Sequence, residues 1–321
     1  VSILHVAAGI LTDPQGRVLI ARRPDRAHQG GRWEFPGGKL EPGETSQQGL
    51  ARELREELGV QVLASEPLIR IRHDYGDRQI LLEVRRVTRF TGLPRGREGQ
   101  PLRWLHPQDM DWRAFPAADR PVIGALRLPD RMLVTGPDPQ RPASFLARLE
   151  GALQTGVRLV QLRTPGLSGV SHLELATAAL ELCARYRADL VINPPVDGVP
   201  PPPGAGLHLS SQRLRALTNR PLAEGRLVGA SCHDARELAQ AAVLGLDYAL
   251  LSPVLATASH PQAVPLGWPR FADLVERALL PVYALGGLEV TAIPIARRHG
   301  AQGIAAIRGL WPVDGSDAGL R

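Results

Sequence analysis

Residues 37–60 read GGKLEPGETSQQGLARELREELGV, and this stretch decides how the first third of the chain folds. Thr45 and Gln48 stand at the T-x-x-Q spacing of a capping box, in which each side chain satisfies a backbone N–H that a helix start leaves bare. Gly59 suits the left-handed residue that closes a helix. A helix over about 46–58 follows, with Leu50, Leu54 and Leu58 as one apolar stripe that must face a core. On the other side Glu53, Glu56 and Glu57 fall at i, i+3 and i+4 and share one patch. Carboxylates this close repel one another, and they either weaken the helix or push one carboxyl pKa upward. On the helix alone two readings stand. One is a hard cation such as Mg²⁺, which brings a phosphorylated substrate with it. The other is a solvated acidic face with Arg52 and Glu56 as a surface pair.

Working outward, "ILHVAAGILTDPQGRVLIARR" predicts strands near 3–11 and 17–22, paired as a hairpin around Asp13-Pro14-Gln15-Gly16, where Asp, Pro and Gly take the positions a type I turn prefers. Beyond the helix, residues 67–90 read as a second hairpin, 101–105 as a short strand and 120–127 as a closing helix. The sum is an α+β unit of mixed sheet and few helices. From Arg131 the rhythm becomes strand, helix, strand. Eight short apolar runs alternate with helical segments such as 142–156 and 171–186, which predicts a small α/β barrel of the (β/α)₈ type. The expected division is a first domain over 1–128, a barrel over 131–312 and a frayed tail at 313–321, with the break at Pro129 and Asp130. The proline-rich run 194–206 lies between two strands of the barrel and reads as a stiff loop.

Bulk properties narrow the function classes. The chain has 321 residues, 44% apolar and 22% charged, as a globular protein of two units should. No run of about 18 apolar residues occurs, so no membrane span is expected. Val1 leads straight into strand-like alternation rather than a leader, and a cytoplasmic setting is expected. Cys183 and Cys232 lie far apart with no partner at metal-ligand spacing and read as free thiols. The pI near 10.1 invites nucleic-acid binding, but the arginines are scattered rather than interleaved with aromatics in a block, so no stable nucleic-acid complex is expected. Of the 38 basic side chains all but Lys39 are arginine. Codon bias explains the background, and the surviving lysine reads either as a phosphate contact or as a turn residue.

Counting from Gly38, the chain reads G-x5-E-x7-R-E-L-x-E-E-x-G-V, with Gly38, Glu44, Arg52, Glu53, Leu54, Glu56, Glu57, Gly59 and Val60 in place. This resembles the Nudix box, the signature of hydrolases that cut nucleoside diphosphates linked to another group. "HQGGRWEFPGGKLEPGE", "YGDRQI", "GREGQP" and "FPAADRPVIGAL" extend the likeness to the MutT-type Nudix enzymes that sanitise 8-oxo-dGTP. The resemblance implies that the Gly37 carbonyl and the carboxylates of Glu53, Glu56, Glu57 and Glu98 hold Mg²⁺, with Mn²⁺ able to replace it. It implies Glu53 as the base that activates water, Glu98 as the second candidate, and Glu44 and Arg52 as supporting catalytic groups. Attack on the β-phosphorus would then give a nucleoside monophosphate and pyrophosphate, with Lys39, oriented by Glu44, meeting the polyphosphate. Arg23, His28, Glu34, Phe35, Pro36, Gly37, Gly38, Arg78 and Asp119 would line the nucleotide pocket, with Leu4 and Tyr75 as apolar walls. Arg23 and His28 also read as loop residues, and Phe35 as core. Asp119 departs from the family, which commonly has asparagine there. An asparagine amide can accept from the N7–H of oxidised guanine and donate to its O6, whereas an ionised aspartate only accepts. Asp119 must therefore be protonated to read that base, or bind only its donor edge, or it serves as a helix cap instead.

The barrel is similar to the thiamin phosphate synthase and TenI family, through "VQLRT", "INPP", "GLHLS", "GASCHD", "DYALLSPVLATASHP", "VYALGGL" and "GAQGIAAI" in the family's order. Where that family has a catalytic lysine after "QLR" this chain has Pro165. The metal-binding "ND" is Asn193-Pro194, the next metal aspartate is Arg213, and the "T-x-T-K" lysine is His260. Synthase chemistry is therefore not expected. Arg163, Asn193, His233, Gly286 and Gly287 remain as a candidate site. The two glycines stand where such barrels bind phosphate through backbone N–H groups, and Arg308 stands beside them. His233 reads either as a tautomerase acid/base or as a polar residue of the barrel mouth. Two functions are thus expected as alternatives. In one, a nucleotide-pool hydrolase carries a barrel that binds a phosphorylated small ligand. In the other, a thiamin-pathway barrel carries a hydrolase for surplus or damaged diphosphates.

Overall fold

A computed structural model of the chain describes residues 3–194, 200–257 and 262–312. The expected frayed tail at 313–321, part of the proline-rich loop and His260 lie outside the described residues. The chain separates into two compact units, residues 1–127 with 275–281, and residues 128–274 with 282–321.

In the first unit the expected helix is present as α1 (Ser46–Leu58), with Thr45 and Gln48 bonded reciprocally as a capping box and Gly59 left-handed at φ 72°. Its stripe packs on β1 (Ile3–Leu11), whose alternation decides what each face receives. Ala7 and Leu11 point to the cluster that holds Leu50, Leu54 and Leu58, while Ala8 and Ile10 point to the opposite core with Phe35, Ile71 and Phe115. All three leucines of the stripe are fully buried, each contributing about 1.5–3 kcal/mol relative to exposure. The turn at Asp13–Gly16 forms as expected, the Gly16 N–H donating to the Asp13 carbonyl at 2.9 Å. The hairpin beyond it does not. Past a single bridge between Thr12 and Val18, β1 diverges from β2 (Val18–Arg22). A strand has two edges, and β1 spends both elsewhere. One pairs antiparallel with β4 (Gly37–Lys39), the other parallel with β6 (Gln79–Thr91). β6 pairs in turn with β5 (Gln61–Asp74), which is the second expected hairpin. The displaced β2 builds a separate sheet with β3 (Trp33–Glu34) and β7 (Leu102–Leu105). The closing helix α2 (Arg120–Arg127) covers the second core through Val122, Ile123 and Ala125.

The second unit is a closed barrel of eight parallel strands: β8 (Arg131–Val134), β9 (Leu159–Arg163), β10 (Asp189–Asn193), β11 (Gly206–Leu209), β12 (Val228–Cys232), β13 (Tyr248–Leu251), β14 (Val282–Leu285) and β15 (Gly303–Ala306). Each of the eight apolar runs read from the sequence supplies one strand. Closure leaves no edge. The centre is filled by Met132, Val134, Leu159, Tyr248, Leu250 and Tyr283, with one polar chain among them. His208, fully buried, meets the Tyr248 hydroxyl at 3.0 Å through Nδ1 and the Ser231 hydroxyl at 2.9 Å through Nε2. Burial holds that imidazole neutral, its pKa pushed down to about 3.

Candidate functional site

The site in the first unit is assembled where β4 and α1 meet. Gly37, at φ 149°, lies so close to β1 that a Cβ would sit 2.1 Å from the Ala7 carbonyl oxygen. At Gly38 a Cβ would sit 2.3 Å from the Glu53 carboxyl carbon, so only glycine lets this carboxylate lie against the loop. Arg52 organises the acids around it. Its Nε and Nη2 grip both oxygens of Glu44 at 2.9 Å, Nη1 donates to Glu53 at 2.9 Å, and Nη2 also donates to the Lys39 carbonyl at 2.9 Å. The Arg52 bonds, with the Glu41 amide, hold the Glu44 carboxyl down at about 2. Glu57 has the reverse environment. Burial, then the charges of Glu34, Glu53 and Glu98, push its carboxyl up to about 8, against one bond from the Gly37 N–H.

Beside these acids lies a cavity of about 270 Å³. Leu4, Arg23, His28, Glu34, Phe35, Gly37, Gly38, Lys39, Tyr75, Arg78 and Asp119 all line it, together with Glu57. Arg23 pairs with Glu34 through Nη1 and donates from Nε to the His28 carbonyl at 2.9 Å. The His28 ring meets the Tyr75 ring edge-on at 5.0 Å. Arg78 is exposed and bonded to Asp77 at 2.9 Å. Asp119 is 8% exposed. Burial, followed by the neighbouring Glu34 charge, pushes its carboxyl up to about 8, with Arg23 opposing. At neutral pH it is a neutral acid that can donate one hydrogen bond and accept another. It caps no helix: the chain passes from a 3₁₀ turn at Ala117–Asp119 straight into α2.

Other expected residues are arranged differently. Pro36, Glu44, Arg52, Glu53, Glu56 and Glu98 are not among the residues lining this cavity. Glu44 does not orient Lys39, because Arg52 and the Glu41 N–H occupy its oxygens. Among the described residues no three acidic, His or Cys side chains are already gathered as a metal-binding group. The expected set of Glu53, Glu56, Glu57 and Glu98 does not form such a group. Arg52 Nη1 pairs with Glu53 at 2.9 Å and with Glu56 at 3.4 Å, and Glu98 stands on an exposed loop. The donor set still suits a hard divalent ion, since half-buried Glu57 feels three other carboxylates and has one N–H to offset them. Val6, Ala8, Ile80 and Leu82 also line the cavity and were not singled out from the sequence. Their signal is period two: Leu4, Val6 and Ala8 share a face of β1, and the parallel register sets Leu4 against Ile80 and Val6 against Leu82.

In the second unit a cavity of about 1050 Å³ opens at the strand ends and brings Arg163, Asn193, His233, Gly286 and Gly287 together with Arg308. His233 is exposed, and its Nδ1 lies 2.9 Å from the Ser252 carbonyl, which makes Nδ1 the protonated nitrogen and leaves Nε2 as the basic one. It belongs to the mouth rather than to the packed interior.

A Nudix domain profile matches residues 7–125, and a thiamine monophosphate synthase profile matches residues 131–310. An Escherichia coli 8-oxo-dGTP diphosphatase is 38% identical over 124 residues, covering 39% of this chain and 96% of that protein. A CTP pyrophosphohydrolase of the same organism is 37% identical over 123 residues, covering 38% of this chain and 90% of that protein. A putative thiamine-phosphate synthase of Aquifex aeolicus is 35% identical over 164 residues, covering 51% of this chain and 88% of that protein. No described helix is long and apolar enough to cross a membrane. With a capped glutamate helix laid against Gly37 and Gly38, and with a closed parallel barrel behind it in the chain, this protein is a Nudix hydrolase that also belongs to the thiamine monophosphate synthase family.

Proposed function

We propose that the Nudix half hydrolyses 8-oxo-dGTP to 8-oxo-dGMP and pyrophosphate with Mg²⁺, as a guard on the nucleotide pool in a cytoplasmic setting. The observation that carries this reading is Asp119, a buried neutral carboxyl lining the same small cavity as Lys39 and Glu57. Relatives named for an oxidised purine and for CTP are almost equally similar, so identity does not choose between the two substrates. Hydrogen-bond chemistry separates the oxidised guanine from guanine. A protonated Asp119 donates to O6 of the oxidised guanine and accepts from its N7–H. Guanine itself presents two acceptors on that edge and satisfies half of the pair. Tyr75 and His28 frame the base, and Lys39 stands towards the phosphates. In this reading Glu53, turned by Arg52, takes the proton of the attacking water. Glu56, Glu57, Glu98 and the Gly37 carbonyl hold the metal, which when bound supplies charge for the phosphoryl oxygens. Arg52 keeps Glu44 ionised and orients both Glu44 and Glu53. For the barrel half we propose binding of a phosphorylated small ligand, its phosphate at the Gly286–Gly287 turn beside Arg308.

The test is phosphoanhydride hydrolysis by the full chain with Mg²⁺, read as pyrophosphate from 8-oxo-dGTP, dGTP and CTP and as orthophosphate from thiamin diphosphate. The reading requires 8-oxo-dGTP to be preferred and the preference to vanish in Glu53→Gln. A preference for CTP or for the thiamin compound would overturn it.

A further inference from the structure

The thiamin phosphate synthase resemblance carries a divalent cation held by carboxylates at the barrel mouth, and the residues of this chain do not fit one. β10 ends in Asn193 and is followed by Pro194, so the strand end offers an amide oxygen and a backbone carbonyl where a carboxylate would be needed. Arg213, on the short helix Ser211–Ala216 after β11, reaches across to both. Its Nη1 donates to the Pro194 carbonyl at 2.7 Å and lies 3.5 Å from Asn193 Oδ1. A guanidinium, always charged, thus occupies the oxygens of that strand end and repels any second cation.

The rest of the mouth has the same sign. Arg148, Arg163, Arg215 and Arg308 line the cavity, and Glu289 is the one carboxylate among its described lining residues.

We infer that the barrel takes a phosphate monoester and holds it without a divalent cation, the Arg213 guanidinium standing where a synthase would place its metal. This rests on the phosphate-binding reading of the barrel above and adds the metal independence. A site of this kind binds an anion but does not ionise a pyrophosphate leaving group, which needs a metal to carry the charge that develops.

The test is calorimetric titration of the full chain with inorganic phosphate, once in EDTA and once in Mg²⁺, for wild type, Arg308→Ala and Arg213→Gln. The readout is the binding that Arg308→Ala weakens, which separates the barrel from the Nudix half. The expected result is a loss of about tenfold in Arg308→Ala, the scale of one charge-assisted bond, with the same affinity in both media. Arg213→Gln, beside the lining Asn193 but not itself a lining residue, should create no dependence on Mg²⁺, while its melting temperature reports that the barrel remains folded. Arg308-sensitive binding that appears only with Mg²⁺ would overturn the metal independence and leave the phosphate reading standing. Absence of Arg308-sensitive binding in both media would overturn the two together.

Discussion

Around α1 the chain gathers Glu44, Glu53 and Glu56 about one arginine, whereas at the barrel mouth Arg148, Arg163, Arg215 and Arg308 line a cavity with one glutamate. Both arrangements suit phosphate chemistry, by opposite means. A carboxylate cluster attracts a phosphate only through a cation that it must first recruit, which couples binding to the charge needed for cleavage. An arginine mouth attracts the anion directly and holds it with fixed donors. In the proposed reading the contrast separates a half that breaks phosphoanhydrides from a half that keeps a phosphorylated ligand intact.

The largest expected effect tests the acidic half. Glu53→Gln should lower pyrophosphate release from 8-oxo-dGTP by about 10²–10⁴-fold, the scale of a positioned general base, with an unchanged melting temperature; a loss below tenfold would move the base to Glu98. Gly38→Ala comes next. Its Cβ would meet the Glu53 carboxylate, the movable end of a side chain, so the fold should survive while kcat falls by about 10–100-fold, as when metal-ligand orientation is lost. Arg52→Ala should act on the same scale by releasing Glu44 and Glu53 together, and an ordinary kcat in either variant would show that the carboxylates need no positioning.

A smaller effect concerns pH. Asp119 and Glu57 have folded-state pKa values raised from 3.8 and 4.5 to about 8. Between those limits the folded chain binds more protons than the unfolded one, so stability falls as pH rises from about 4 to 8. Asp119→Asn should remove one of these two terms, and melting temperatures at pH 5 and pH 8 should then lie closer together than in wild type. In kcat/KM for 8-oxo-dGTP the wild type should decline through pH 8 as Asp119 loses its donor, and Asp119→Asn should decline less. Parallel profiles would remove Asp119 from base reading. The smallest effect is expected in the barrel: His233→Ala, at an exposed mouth position, should leave Nudix turnover within about twofold of wild type. A larger change would show that the two halves communicate.

Much of this was legible before any coordinates. The capping residues and leucine stripe of α1 fix a local structure, since each signal acts within four residues. The eight barrel strands are legible because a strand buried on both faces must be apolar along its length. The divergence of β1 and β2 was not legible. The turn chemistry at Asp13–Gly16 is correct for a hairpin, but both edges of β1 are claimed by β4 and β6, segments distant in the sequence. Glu53, Glu56 and Glu57 share a helix face by periodicity, yet they end in three environments: one drawn to Arg52 against Gly38, one exposed, one half-buried.

By itself, then, the sequence determined the identity of the elements and the chemistry available to them: a capped glutamate helix behind a glycine loop, one lysine, and a barrel with Asn193, Pro194 and Arg213 in place of metal carboxylates. Only the tertiary structure decided how those charges are felt. Asp119 and Glu57 are ordinary carboxylates in a sequence. They become weak acids because the packed protein removes their water and sets Glu34 within reach of both. Arg213 acquires its role the same way, when barrel closure brings it to the end of a neighbouring strand. Desolvation and through-space charge depend on distance in the fold rather than along the chain, and residue order alone does not carry them.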